Sequence, residues 1–181
     1  PGCVNEESEG LHWNSIRPRT QGEPVPNYLT NDELAHAKSL LDRMTTIYQH
    51  TVVGQEGLRR ALTASLLAGG HVLVESVPGL AKTTAAQTLA SAVSGTFHRI
   101  QCTPDLMPND IVGSQIWNQE RGEMVTQLGP VHANMVLLDE INRSSAKTQS
   151  AMLEAMQERQ TTIGGVNHKL PNPFMVMATQ N

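Results

Sequence analysis

The sequence predicts an α/β fold, a three-layer sandwich whose helices flank a parallel sheet, and three observations carry that prediction. Short, continuous apolar runs recur at Val72-Leu73-Val74, Met135-Val136-Leu137-Leu138 and Phe174-Met175-Val176-Met177, the mark of strands buried on both faces. Stretches of helical period lie between them, and alternation of strand and helix implies parallel pairing through right-handed crossovers. The 181 residues can bury a real core, and 39% apolar with only 3% aromatic residues suits an aliphatic α/β sheet better than a β-sandwich.

Residues 1–29 mix Pro, Glu, Gly and Arg without apolar period and are expected to form a disordered or extended arm, with Trp13 the one residue there that could dock. The core is expected over residues 30–181. Thr30 followed by Glu33 is a capping box, after which Leu34, Ala37, Leu41, Met44 and Tyr48 recur at helical spacing. Leu58, Ala61, Leu62, Ser65 and Leu66 mark a second helix that Gly69-Gly70 stops. Strands are expected at His71 to Glu75, Phe97 to Cys102, Met135 to Asp139 and Phe174 to Thr179, with a helix reaching about Ser94 after the first. Two β-hairpins interrupt this pattern. Ser114 to Asn118 and Glu123 to Gln127 flank a turn closed by Gly122, and Gln160 to Ile163 and Val166 to Leu170 flank Gly164-Gly165, which suits a two-residue turn. Met152, Leu153 and Met156 form a helical stripe expected in the core.

The first strand runs through Ser76-Val77-Pro78-Gly79-Leu80-Ala81 into Lys82-Thr83-Thr84 at a helix start. Such a turn aims backbone N–H groups and the helix's positive end at phosphate oxygens, Lys82 can reach the β/γ-phosphates of ATP, and Thr83 can ligate Mg²⁺. Ser76 and Ala81 stand where G-x-x-x-x-G-K-[ST] has glycine. Ala81 is compatible with the motif if its φ is negative. Alone, the segment also reads as an ordinary strand-to-helix turn. Asp139 and Glu140, at the end of the third strand, supply what such a loop needs: a carboxylate to hold Mg²⁺ and a second to polarise water. Asn181 follows the fourth strand, and ligands in open α/β sheets sit at those carboxyl ends.

Val53-Gly54-Gln55, Val77 to Thr83, Gln101 to Asp105, Leu138-Asp139-Glu140-Ile141-Asn142-Arg143, Leu153 to Gln160 and Ala178-Thr179-Gln180-Asn181 together resemble the MoxR family of AAA+ ATPases, from about Val52 to the last residue. The resemblance implies a P-loop NTPase fold and an Mg²⁺-dependent ATPase. It implies that Asn181 is the sensor of the catalytic water and that Val53 and Gly54 lie near adenine. It implies a hexameric ring, a remodelled protein client and a partner with a von Willebrand factor A domain. The hairpins would project toward the pore, and Arg143 would contact a neighbouring subunit unless it pairs with an acid on its own surface. A fifth strand, an arginine finger and a helical lid would lie beyond Asn181, so residues 1–181 alone are expected to be an incomplete, inactive fragment.

Two other classes compete. One is a nucleotide-binding scaffold without turnover, suggested by Ser76 and Ala81; the other is a DNA-acting AAA+ motor. Retention of both Asp139 and Glu140 speaks against the first. A net charge of −4 with a pI near 6.0 gives no basic footprint for nucleic acid. Cys3 and Cys102 are too few and too far apart for a disulfide framework, no apolar run reaches membrane length, and the cytoplasm is the expected compartment. The seven histidines lack metal-ligand spacing and are expected to be surface or incidental residues.

Overall fold

The computed structural model describes residues 30–75 and 81–180, so the arm at 1–29, the loop at 76–80 and Asn181 lie outside the described residues. Helix α1 (Asn31–Thr51) starts at the expected capping box: the Thr30 hydroxyl accepts from the Glu33 N–H at 3.3 Å while Glu33 accepts from the Thr30 N–H at 2.9 Å. Only its second half is buried, through Met44 and Tyr48, and Leu34 stays in solvent. Helix α2 (Glu56–Leu67) buries Leu62 and Leu66 and stops at Gly69, whose φ of +64° favours glycine.

Four parallel strands follow, β1 (Val72–Glu75), β2 (Phe97–Gln101), β5 (Met135–Asp139) and β8 (Met175–Gln180), in the order β1-β8-β5-β2. The pleat divides the core between the two faces. Met135, Leu137, Met175 and Met177 pack with α1, α2 and helix α3 (Lys82–Ala92). Val136, Leu138 and Val176 pack on the other side with Ile111 of α4 (Pro108–Val112) and Met152 and Ala155 of α5 (Ala146–Glu158). Helix, sheet and helix make the three layers, and each fully buried aliphatic side chain contributes about 1.5–3 kcal/mol. β1 pairs only with β8, leaving its outer edge without a strand among the described residues.

Both hairpins form. The strands β3 (Gly113–Asn118) and β4 (Glu123–Leu128) make the first, β6 (Gln160–Ile163) and β7 (Val166–Lys169) the second. Gly164 and Gly165 have φ of +58° and +79°, the turn that a two-residue connection with right-handed strand twist demands. Gly113, where α4 turns into β3, has φ of +108° and lies so close to the Gln127 carbonyl that a Cβ would stand 2.3 Å from its oxygen.

Three expectations need correction. Leu153 is 62% exposed, because the apolar stripe of α5 runs through Met152, Ala155 and the half-buried Met156, and Leu153 points about 100° away from Met152. Several histidines are structural rather than incidental. His71 Nδ1 accepts from the Val176 N–H at 3.0 Å and its ring meets Phe174 edge-on; burial, helped by Arg159, holds its pKa below the ordinary value and so keeps the acceptor neutral. His132 bonds the Thr161 hydroxyl at 2.9 Å and faces His168. The third correction, the backbone of Ala81, belongs to the site. Helix α4 is an element that the sequence pattern does not announce: its signals are Pro108 at the first turn and Asp110, which accepts from the Met107 N–H. Among the described residues no helix is long and apolar enough to cross a membrane.

Candidate functional site

Parallel pairing brings the carboxyl ends of the four strands level: Glu75 faces Gln180, Leu138 faces Ala178, and Asp139 faces Gln101. The side chains there form a run of hydrogen bonds around Asp139 and Glu140. Thr179, fully buried, donates its hydroxyl proton to Asp139 Oδ1 at 2.6 Å and accepts from the Glu140 N–H at 3.0 Å. Arg99 places a guanidinium nitrogen 2.5 Å from Asp139 Oδ2 and 2.9 Å from Gln101 Oε1. The amide of Gln101 then donates to Glu140 Oε2 at 3.0 Å, and Arg143 Nε lies 3.3 Å from the same oxygen. Glu140 holds φ at +59°, a left-handed conformation that costs a non-glycine residue of order 1 kcal/mol and that the Thr179 contact to its N–H helps to fix.

Burial pushes the Asp139 carboxyl up, but the Thr179 hydroxyl, the Arg99 guanidinium and the charge of Lys82 outweigh it and hold the pKa below the usual aspartate value. Asp139 is therefore ionised at neutral pH. Lys82 opens α3, and its charge is the smallest of the influences that lower the Asp139 pKa. Cys102, buried just past β2, is pushed up to about 11 by its burial and by the two carboxylates, so it is a thiol and no nucleophile at neutral pH. Beside Lys82 a cleft of about 310 Å³ opens between Gln55, Leu58 and Ala61 of the α2 region and Val72 to Glu75 of β1.

Of the residues that the sequence singles out, Asp139 and Glu140 stand at the end of β5, and Lys82 and Thr83 open α3, with Lys82 lining the cleft beside Glu75 at the end of β1. Val53 and Gly54 lie in the connection between α1 and α2, where Val53 is 89% exposed; the cleft lining begins one residue later, at Gln55. Ser76 to Leu80 and Asn181 lie outside the described residues. Arg143 pairs with an acid of its own surface, and that acid is Glu140. Sequence reasoning misses Arg99, and it gives no role to Gln101 and Thr179, which enter only within the runs that carry the family resemblance. The further signal is polarity at the ends of strands, Arg99 and Gln101 two apart on one face of β2 and Thr179 inside an apolar run.

Ala81 departs from expectation: its φ is +50° and its ψ +29°, squarely left-handed. Glycine has no Cβ penalty there, so Ala81→Gly is expected to raise stability by up to about 1 kcal/mol, the relieved strain being partly offset by chain entropy. Urea denaturation of the two proteins measures it. A loss of stability would mean that the left-handed turn is not strained by its methyl group.

The donors suit a hard divalent cation. Asp139 supplies an ionised carboxylate and Thr83 a hydroxyl, while among the described residues no three His, Cys, Asp or Glu side chains form an all-protein cage. One carboxylate completed by phosphate oxygens is the ordinary setting of Mg²⁺.

Comparison with known proteins places this geometry in context. Residues 71–181 match the family model described as ATPase family associated with various cellular activities (AAA). Over 148 residues the chain is 53% identical to the chaperone MoxR1 of Mycobacterium tuberculosis, covering 82% of this chain and 39% of that protein. It is 46% identical over 142 residues to the uncharacterised protein YeaC of Bacillus subtilis, covering 78% of this chain and 44% of that one. A crystal structure described as that of a candidate ATPase from Cytophaga hutchinsonii superposes with a TM-score of 0.71 at 46% identity, over 82% of this chain and 47% of that chain. The chain thus spans less than half the length of each of these relatives.

Proposed function

This chain belongs to the MoxR type of AAA+ ATPases, and from that membership we propose that the protein binds ATP at the Lys82 loop and hydrolyses it at Asp139 and Glu140 to remodel or mature protein clients. The observation that carries the proposal is the placement of Lys82, at the start of α3 and in the cleft beside the end of β1, together with two carboxylates at the end of β5 in the same parallel sheet. Backbone N–H groups of Ser76, Val77, Gly79, Leu80 and Ala81, on either side of Pro78, would cradle the phosphates, with Thr84 closing the first turn. Lys82 stabilises the β/γ-phosphate charge. Thr83 and Asp139 would hold Mg²⁺, which would supply neutralisation of the phosphate charge. Glu140 orients the attacking water and accepts its proton, and Asn181 positions that water. Val53 and Gly54 would flank adenine at the mouth of the cleft.

In the same reading the protein works in the cytoplasm as a homo-oligomeric ring, with six subunits, on a protein client that includes a von Willebrand factor A domain partner. The name of the mycobacterial relative, a chaperone, supports a protein client. ATP hydrolysis by the full-length protein, followed as phosphate release, is expected to require Mg²⁺ and to stop in EDTA. Asp139→Asn should lower it by about 100-fold, because the amide keeps the shape but loses the charge that a divalent cation needs. Wild-type turnover in that variant would take Asp139 out of the reaction.

A further inference from the structure

We infer that Arg99 is a cation built into the metal position: it neutralises Asp139 when no divalent cation is bound, competes with that cation for Asp139 Oδ2, and so sets the Mg²⁺ concentration at which nucleotide is retained. The inference rests on the reading that Asp139 holds the cation.

Four features of the strand ends carry it. The Asp139 side chain is only 18% exposed, and an ionised carboxylate so buried needs a counter-charge. Arg99 provides one at 2.5 Å, on Oδ2. The other oxygen is held by Thr179, which is fully buried and committed to the Glu140 N–H as well, so Oδ2 is the side of the carboxylate at which exchange can occur. Finally, the Arg99 side chain is 47% exposed, which leaves the guanidinium a path into water when it gives way.

Gln101 keeps Arg99 in this place. Residues two apart on a strand share a face, and the Gln101 carbonyl oxygen accepts from the same guanidinium nitrogen at 2.9 Å. A guanidinium donates hydrogen bonds but cannot ligate, and it cannot lose its proton near neutral pH. A divalent cation approaching Asp139 therefore meets both an occupied oxygen and a fixed positive charge. Removing Arg99 should make the cation bind more tightly, whereas loss of a residue that merely supports the site would weaken it.

The test measures binding rather than turnover. In the full-length protein a fluorescent ADP analogue is titrated at fixed concentration with Mg²⁺, and its affinity is measured again in EDTA. Arg99→Met is expected to lower the Mg²⁺ midpoint by about tenfold, since one unit of repulsion at contact distance is gone. Arg99→Gln, which keeps hydrogen bonding without charge, should move it the same way, and Arg99→Lys should stay within about threefold of wild type. Affinity in EDTA should fall by less than about threefold, the repulsion of phosphate by the unpaired Asp139 carboxylate. An unchanged or raised midpoint in both neutral variants overturns the inference, and so does a loss of affinity in EDTA of about tenfold or more, which would place Arg99 on the phosphates instead. Asp139→Asn separates the two levels. If it abolishes the Mg²⁺ effect while Arg99→Met and Arg99→Gln keep the wild-type midpoint, only the competition is wrong; if it leaves the Mg²⁺ effect intact, Asp139 is not the cation's ligand and both readings fall.

Discussion

Glu140→Gln in the full-length protein is expected to bind ATP with near wild-type affinity while steady-state hydrolysis falls by about 100-fold or more. The structure explains why the two properties should separate. Glu140 is held through its backbone N–H by Thr179 and through Oε2 by the Gln101 amide and Arg143. A glutamine has the same length, tolerates the same left-handed backbone and keeps an acceptor oxygen for Gln101 and Arg143. It lacks the negative charge that polarises a water and the basicity that takes its proton. The phosphates are expected to be held elsewhere, by the loop and Lys82, so binding survives. Fluorescent nucleotide titration and phosphate release measure the two properties separately. Undiminished turnover would show that another group activates the water, and lost binding would show that Glu140 shapes the pocket rather than the chemistry. The same experiment decides against the scaffold alternative, since a protein without turnover has no rate for the substitution to lower.

How much of the fold and of the site is legible in the sequence depends on the range of the interactions involved. Strand β5 is readable to the residue, because four buried apolar positions ending in two acids give a local signal that needs no partner. The hairpins are readable because Gly122 and Gly164-Gly165, placed between two strand-like runs, supply the positive φ that tight turns need. The Arg99 pair with Asp139 is not readable. It joins residues 40 apart in the chain and exists only because β2 lies beside β5 in the sheet. Thr179 is a similar case, a hydroxyl in an apolar strand whose meaning emerges when β8 is placed between β1 and β5. Ala81 misleads for another reason. Residue type gives a preference for negative φ, and the turn into α3 overrides it. Leu153 shows how coarse an apolar stripe is when neighbouring residues share it.

Lys82→Ala is expected to weaken ATP binding by about 100-fold or abolish it, while leaving the fold intact. Alanine is the best helix former, and Lys82 is the first residue of α3 rather than part of its packed interior, so the melting temperature should move by only a few degrees. The loss is electrostatic. Lys82 is the one lysine or arginine between Arg60 and Arg99, so the phosphate loop has no second mobile cation to take its place. Arg99 does not replace it, because it stands on β2 beside Asp139, at the other edge of the sheet from β1. Backbone N–H groups and the positive end of α3 remain, but a helix end contributes roughly half a charge against the several negative charges of a triphosphate. The substitution also removes one of the influences that lower the Asp139 pKa, yet Thr179 and Arg99 remain, so that carboxylate stays ionised at neutral pH and the cation site keeps its ligand. Weak binding in Lys82→Ala would thus report the missing phosphate contact and not a damaged metal site. Wild-type affinity would remove Lys82 from the nucleotide site, and with it the link between the start of α3 and the carboxylates on which the proposed activity stands.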